Sequence, residues 1–366
     1  MNDPFLSSMD SDIRSLVRRA LFVAASRPAS ALALLRVAFK QGKAARARSR
    51  HRANGLSVPA FIIASVTRRC NLNCAGCYSR ASETRERDEG RGGELDGERL
   101  SRVISEAADL GVSFVLVAGG EPLVRAREVF AIARANPGVV FPVFTNGTLI
   151  DDAMARAFSR HRNVIPVVSV EGGEASTDGR RGSGVYGRAL SAFTALSRAG
   201  VFFGASFTVM KGNVAELASP GFVEGLLGSG ARIFFYNEYT PIAGGTEGLC
   251  IDAAERKTLL SALEGLRGRY RAVFLAFPGD EDKFGGCLSS GRGFVHLAPD
   301  GGLEACPFAP FGDSSVRDGS LADALKSPLL ARIRDHHAEL AETSGGCALW
   351  NRREWAKSLV SREGSS

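Results

Sequence analysis

The stretch Phe61-Ile-Ile-Ala-Ser-Val-Thr-Arg-Arg-Cys70-Asn-Leu-Asn-Cys74-Ala-Gly-Cys77-Tyr78 decides how the rest of the chain is read. It opens on a short apolar run, Phe61–Val66, that suits a buried strand. The run leads into three cysteines spaced C-x3-C-x2-C. Three thiols within eight residues, on a loop at the end of a strand, can wrap one metal centre. Thiolate ligation selects soft sites such as iron–sulfur clusters or zinc. Structural zinc sites usually bring paired C-x2-C elements and four ligands. Only three ligands are local here, so a four-iron cluster on this loop keeps one iron open to a substrate or cofactor. A closed cluster mostly transfers electrons.

Outward from this loop, short apolar runs alternate with helical patterns. The predicted strands are Phe61–Val66, Ser113–Ala118, Val139–Thr145, Val164–Val170, Phe202–Met210 and Ile233–Glu238. Helical stretches such as Glu98–Leu110, Asp151–Ser159, Gly187–Arg198 and Gly221–Leu227 lie between them. This alternation implies an α/β fold, a parallel sheet with helices outside. Continuous apolar runs such as Phe114-Val115-Leu116-Val117 suit strands buried on both faces. Six units are fewer than the eight of a full barrel, so the expectation is a partial (β/α)6 barrel. Functional residues are then expected where the strands end and the loops converge. The alternation is read as stopping after a helix near Ala253–Arg267. The charged stretch Ser79–Gly93 reads as an exposed loop. The division is a basic amphipathic helical segment at 1–56, a core at 57–278 and a small Gly- and Cys-bearing unit at 279–366. No internal repeat is evident beyond the strand–helix alternation.

The cysteine run, its position after the first strand and the aromatic Tyr78 resemble the radical S-adenosylmethionine (SAM) superfamily, over roughly residues 60–245. The resemblance implies that Cys70, Cys74 and Cys77 ligate a [4Fe-4S] cluster whose open iron chelates the amino and carboxylate groups of SAM. Reductive cleavage then gives a 5′-deoxyadenosyl radical that abstracts hydrogen from substrate. Tyr78 matches the aromatic beside the third cysteine, near the adenine. Gly119-Gly120-Glu121-Pro122 after the second strand resembles the family's GGE motif, which holds the SAM amino group. Glycine lets backbone approach a ligand closely, and a carboxylate suits an ammonium. Ser169 and Glu171 resemble the polar positions that meet the SAM ribose. Thr145-Asn146-Gly147, Thr208, Lys211, Asn237, Glu238 and Tyr239 end later strands and are weaker pocket candidates, each equally readable as a satisfied turn residue. Arg180 and Arg181 either pair with the SAM carboxylate or cap the following helix.

The C-terminal cysteines form a second constellation. Cys287, Gly301 and Cys306, with a hairpin turn at Asp300-Gly301, and Cys347 after Gly345-Gly346 resemble the SPASM or shortened twitch domains appended to many radical SAM enzymes. The later cysteines of a full SPASM domain are missing. The resemblance therefore implies one auxiliary [4Fe-4S] cluster, with ligands Cys287, Cys306 and Cys347 and a fourth position that is open or filled by another group. Ordinary buried thiols are the plain alternative. Cys250 stands apart, and His296 reads as a packed strand histidine.

Composition bounds these readings. The 366-residue chain has a net charge of +7, yet residues 1–56 hold 11 Lys/Arg against 3 Asp/Glu, and the remainder is nearly neutral. A nucleic-acid-binding body is not indicated. Mean hydropathy is -0.01, and no secretory signal or membrane-spanning run is evident, so a cytoplasmic location is expected, where cysteines favour metal sites over disulfides. The apolar stripe Ile13, Leu16, Val17, Ala20 and Leu21 and the basic stretch Lys43–Arg52 allow peripheral contact with an anionic membrane through residues 13–52, or packing on the main domain. The resemblance implies an electron donor such as flavodoxin or ferredoxin. The substrate is a peptide, or a small metabolite or lipid; no separate peptide-recognition domain of winged-helix type is evident. A non-catalytic iron–sulfur electron carrier is the alternative of another class.

Overall fold

The apolar run ahead of the cysteines forms β1 (Phe61–Ser65), an interior strand of a ten-stranded sheet. The structure is a computed structural model describing residues 4–25, 28–81, 92–340 and 347–360. The strands β2 (Phe114–Ala118), β3 (Phe141–Thr145), β4 (Val164–Ser169), β5 (Gly204–Val209) and β6 (Ile233–Glu238) follow, each paired parallel with the one before. All six expected strands are present, and parallel pairing puts their C-terminal ends at one mouth of an open, partial barrel. The charged Ser79–Gly93 loop lies mostly outside the described residues, as do Ser26, Arg27, Gly345 and Gly346.

Two extensions correct the six-strand reading. After a helix at Ala253–Arg269, β7 (Val273–Phe277) pairs parallel with β6. At the other edge, β8 (Phe294–Leu297) pairs parallel with β1 and then returns as β9 (Gly302–Glu304), which pairs with the short β10 (Ser314–Ser315). The expected Asp300-Gly301 turn is there, with Gly301 at φ +97° and Asp300 accepting a bond from Gly302 N at 2.9 Å. The hairpin thus continues the sheet of the core, with β8 beside β1 and Cys306 just past the end of β9. The sequence concealed this because a strand edge is completed by a partner more than two hundred residues away.

Both sheet faces are apolar, as the strand runs require. Ile62, Val115, Val117 and Val143 pack outward with the helices, whereas Phe114, Val140, Ile165, Val167 and Phe235 pack inward. The helix at Gly97–Leu110 shows the outer layer's logic. Asp96 caps it by accepting from Arg99 N at 2.7 Å, and Leu100, Val103, Ile104, Ala107 and Leu110 recur at helical spacing and are buried. Gly111, at φ +109°, ends it. Losing the Asp96 cap costs about 1 kcal/mol.

Two long helices, α1 (Pro4–Ala24) and α2 (Pro28–Ala53), close the end of the barrel opposite the mouth. Met9, Ile13, Val17, Ala20, Val23 and Ala24 of α1 meet Ala60, Phe114, Val140, Ile165, Phe202, Ile233 and Val273, all at strand N-termini. Most of the α1 stripe is therefore packed on the body. Arg48, in the basic stretch Lys43–Arg52, is buried. It pairs with Asp10 and Gly111 O and reaches Ser113 Oγ at 2.9 Å. No helix among the described residues is long and apolar enough to cross a membrane.

Candidate metal and cofactor site

The cysteine loop is built by backbone docking at the mouth. Gly120 N donates to Thr67 O at 2.7 Å and Glu121 N to Arg69 O at 2.8 Å, zipping the Gly119–Glu121 turn to the entry of the loop. A Cβ on Gly119 would collide with Thr67 O, and one on Gly120 with Arg68 O and Arg69 O. Gly119 also needs φ +120°. The close approach that these glycines permit is to the chain's own backbone. Beneath it, Glu94 accepts from Thr67 Oγ1 at 2.9 Å and Arg68 N at 2.7 Å, and buried Arg125 donates to Val66 O at 2.6 Å. Neither Glu94 nor Arg125 carries a sequence signal, since these bonds reach residues far along the chain, Thr67 and Arg68 from Glu94 and Val66 from Arg125.

The far side of the loop is tied down as well. Ala75 N donates to Arg180 O at 2.9 Å, and Asn146 Nδ2 donates to Asn71 Oδ1 at 2.8 Å. Asn71 in turn donates to Thr148 Oγ1 at 2.8 Å. The ends of β1, β2, β3 and β4 thus all hold one cysteine loop, as convergence at strand C-termini requires.

Two buried carboxylates at strand C-terminal ends, Glu121 and Glu171, have different electrostatics. Glu121 accepts from Leu123 N (3.0 Å), Thr145 Oγ1 (2.8 Å) and Asn146 N (2.8 Å). Burial raises its pKa, and those three bonds oppose the rise. A carboxylate offers about four acceptor positions, so one remains, and no cation is bonded to Glu121 among the described residues. Glu171 is fully buried but doubly paired, with Arg180 Nη1 at 2.6 Å and Arg181 Nε at 2.7 Å. Its second oxygen accepts from Thr208 N at 2.8 Å. The expected pocket contact Glu171 is thereby occupied as the holder of two arginines. Asp178, not the arginines, caps the next turn, accepting from Gly184 N and Tyr186 N.

Burial raises the pKa of Cys70 and of Cys74, and Arg181 and Arg180 counter the rise at Cys74. Ser169 Oγ lies 2.9 Å from Ser206 Oγ at the adjacent strand end. Lys211 is exposed, Asn237 is half-buried, and Glu238 pairs with Arg256 at 3.0 Å. Tyr239 is the informative one of the weaker candidates. It is 3% exposed, its hydroxyl has no hydrogen-bond partner among the described residues, and it abuts Gly76, between Cys74 and Cys77, where an added Cβ would lie 2.5 Å from the hydroxyl oxygen. A buried orphan hydroxyl calls for an acceptor, and the open neighbour is the thiol loop.

The second cysteine group lies alongside. Cys287, Cys306 and Cys347 are buried. Burial, Glu281 and Cys347 push the Cys287 thiol well above its ordinary range. Ala305, next to Cys306, accepts from Ser290 N at 3.0 Å. Phe308, two residues past Cys306, meets the Tyr78 ring edge-on at 5.3 Å, so Tyr78 joins the two cysteine regions. His296 is a packed strand histidine, bonded to Ser65 Oγ and Glu304 Oε2, each at 2.8 Å. Cys250 is half-buried with no cysteine among its electrostatic neighbours.

Among the described residues, no three His, Cys, Asp or Glu side chains converge on a single-ion site. A four-iron cluster sets its ligand sulfurs on separate irons, and three local thiols with a buried orphan hydroxyl beside them fit it.

Comparison with known proteins bears on the family and the fold. The family model described as Radical SAM superfamily matches residues 64–216. The mycofactocin maturase MftC of Mycobacterium tuberculosis is 30% identical over 313 residues, 80% of this chain and 76% of that protein. The Fe-coproporphyrin III synthase of Methanosarcina barkeri is 33% identical over 159 residues, 43% of this chain and 38% of that one. The chain spans between 38% and 57% of the length of the first curated relatives it matches. A crystal structure of Streptococcus suis SuiB bound to S-adenosylmethionine shares the fold, with TM-score 0.63 and 17% identity over 79% of this chain and 71% of that one.

Proposed function

The chain belongs to the radical SAM superfamily, and from that premise we propose that it cleaves SAM reductively and abstracts hydrogen from a peptide substrate. The observation that carries the first part is the cysteine loop docked against Gly119–Glu121, with one acceptor position on Glu121 not met by a protein donor.

In this reading Cys70, Cys74 and Cys77 hold a [4Fe-4S] cluster. When bound, the cluster and SAM supply the one-electron chemistry that yields a 5′-deoxyadenosyl radical. The chain supplies position and charge. Glu121, buried and lacking a bonded cation, receives the SAM ammonium, which removes the penalty that raises its pKa. Arg180 and Arg181, held by Glu171, keep positive charge beside Cys74 and the SAM carboxylate. Ser169 would meet the SAM ribose and Tyr78 the adenine. Thr145 Oγ1 and Asn146 N, both bonded to Glu121, aim its carboxylate.

Cys287, Cys306 and Cys347 hold one auxiliary [4Fe-4S] cluster, with the Glu281 carboxylate the non-cysteine group beside Cys287. The unit at 279–366 is then a shortened SPASM-like appendage fused to the 57–278 core. A flavodoxin- or ferredoxin-type donor supplies electrons. A peptide substrate is favoured because the relatives covered over most of their length are a mycofactocin maturase and PqqA peptide cyclases, at 73–80% of those proteins. A small-molecule reading rests on the porphyrin and heme synthases, which match about half their length.

The test is anaerobic reconstitution followed by dithionite and SAM. The parent should release 5′-deoxyadenosine. Replacing Cys70, Cys74 and Cys77 with Ala should abolish the product while the auxiliary cluster's absorbance persists. Normal cleavage by the triple variant refutes the assignment, and an iron-loaded parent that never cleaves SAM makes the chain an electron carrier instead.

A further inference from the structure

Among the described residues, seven large apolar side chains are exposed, and four of them lie on α1 and α2: Phe22 (62%), Leu32 (52%), Leu35 (43%) and Phe39 (84%). Leu32, Leu35 and Phe39 recur at three- and four-residue spacing, so they share one face of α2. Leu34 and Val37, on the opposite face, are buried in the core. The α2 segment is thus apolar on two sides, and packing on the body accounts for one.

The second side is ringed by positive charge. Arg36 and Lys43 are exposed on the flank of this face, Lys40 is exposed further round with its stem against Gly138, and Arg14 and Arg18 are exposed on α1 on the approach to Phe22. Arg271 adds another cation, its guanidinium 3.8 Å from the Phe22 ring centre. No Asp or Glu occurs between Asp12 and Glu83. A second copy of the chain seated here by two-fold symmetry would set these cations against themselves. An apolar strip flanked by Arg and Lys, with no acid, complements an anionic surface that is itself apolar beneath.

We propose that this face docks reversibly on an anionic lipid bilayer. Leu32, Leu35, Phe39 and Phe22 enter the headgroup boundary, and the cations remain at phosphate level on their long stems. Because α1 and α2 cover the strand N-termini, docking leaves the mouth, with its cysteine loop, facing away from the bilayer and open to a substrate. The proposal narrows the expected contact through residues 13–52 to the outer face of α2 and Phe22 of α1, and it does not rest on the radical reading.

The experiment is sedimentation of the full chain with phosphatidylcholine vesicles, with and without phosphatidylserine. The chain should pellet with the phosphatidylserine vesicles at low salt and be released as salt screens the charges. Leu32→Ser, Leu35→Ser and Phe39→Ser together should weaken partitioning at least about tenfold, since burying even one such side chain is worth that much. Arg36→Glu, Lys40→Glu and Lys43→Glu together should abolish the preference for phosphatidylserine. All six side chains are exposed, so folding should be unchanged by circular dichroism and melting. The proposal is overturned if the parent stays in the supernatant with both vesicles, or if binding survives both variants. It is also overturned if the parent is a dimer that the apolar variant makes monomeric, which assigns the face to a second copy.

Discussion

Replacing Glu171 with Gln separates two roles for this carboxylate. In the structure it accepts from Arg180 Nη1 at 2.6 Å, Arg181 Nε at 2.7 Å and Thr208 N at 2.8 Å, with no solvent exposure. A glutamine has one oxygen for these donors. If that oxygen faces the arginines, the amide NH2 meets Thr208 N; if it faces Thr208, the NH2 meets two guanidiniums. Either way a buried donor is left without an acceptor and two largely buried cations lose their counter-charge. Breaking a buried pair from one side costs about 3–5 kcal/mol, roughly two to nearly four powers of ten in the folding equilibrium. Domains of this kind are stable by about 5–15 kcal/mol, so the variant should fold marginally. Urea unfolding of the iron-free chain gives the difference directly. Arg180→Ala is the companion, leaving Glu171 paired with Arg181 and costing about 1.5–3 kcal/mol. A Glu171→Gln variant within about 1 kcal/mol of the parent that nevertheless binds SAM poorly would refute this reasoning and make Glu171 a direct SAM contact.

Gly120→Ala should destabilise by about 1–3 kcal/mol, because the new methyl meets the Arg68 and Arg69 carbonyls, whereas Gly187→Ala, in a helix with open space around it, should not; equal melting shifts would contradict the docking argument. Burial holds the Glu121 carboxyl above its ordinary pKa, so the folded chain keeps a proton there that the unfolded chain has released. Stability from this group is full below the unfolded value and is lost as pH rises through the folded value. The stability difference between parent and Glu121→Gln should therefore move in the variant's favour as pH rises out of the acid range, and a pH-independent difference sinks the assignment. Tyr239→Phe should shift the reduction potential of the SAM-binding cluster by removing a donor to its sulfurs, measured by spectroscopic redox titration, with iron content unchanged; an identical potential means that the hydroxyl points elsewhere. Cys250→Ala should leave the iron content at about eight per chain if both clusters are cuboidal, and loss of half would make Cys250 a ligand.

The sequence by itself determined the local chemistry and the local geometry. Runs such as Phe114–Ala118 name their strands because burial on both faces requires uninterrupted apolar residues. The three cysteines name their site because all the thiols lie within one loop. What needed the tertiary structure is whatever depends on a partner far along the chain. The sequence shows Gly119 and Gly120 as glycines fit for a close approach, but only the fold shows that the backbone of residues 67–69 is what approaches. It shows Glu171, Arg180 and Arg181 as three charges, but only the fold sets both guanidiniums on the carboxylate. It shows Tyr239 as one strand-end residue among several, and only the fold brings its hydroxyl to Gly76. The β8 strand has no local signal of its role because its partner, β1, lies more than two hundred residues earlier. On α2, the sequence shows an apolar segment from Ala31 to Phe39, and packing decides which half is core and which half is left facing out. Hydrogen bonds, ion pairs and burial are set by distance in space, and distance along the chain predicts that only within a helix turn, a strand or a loop.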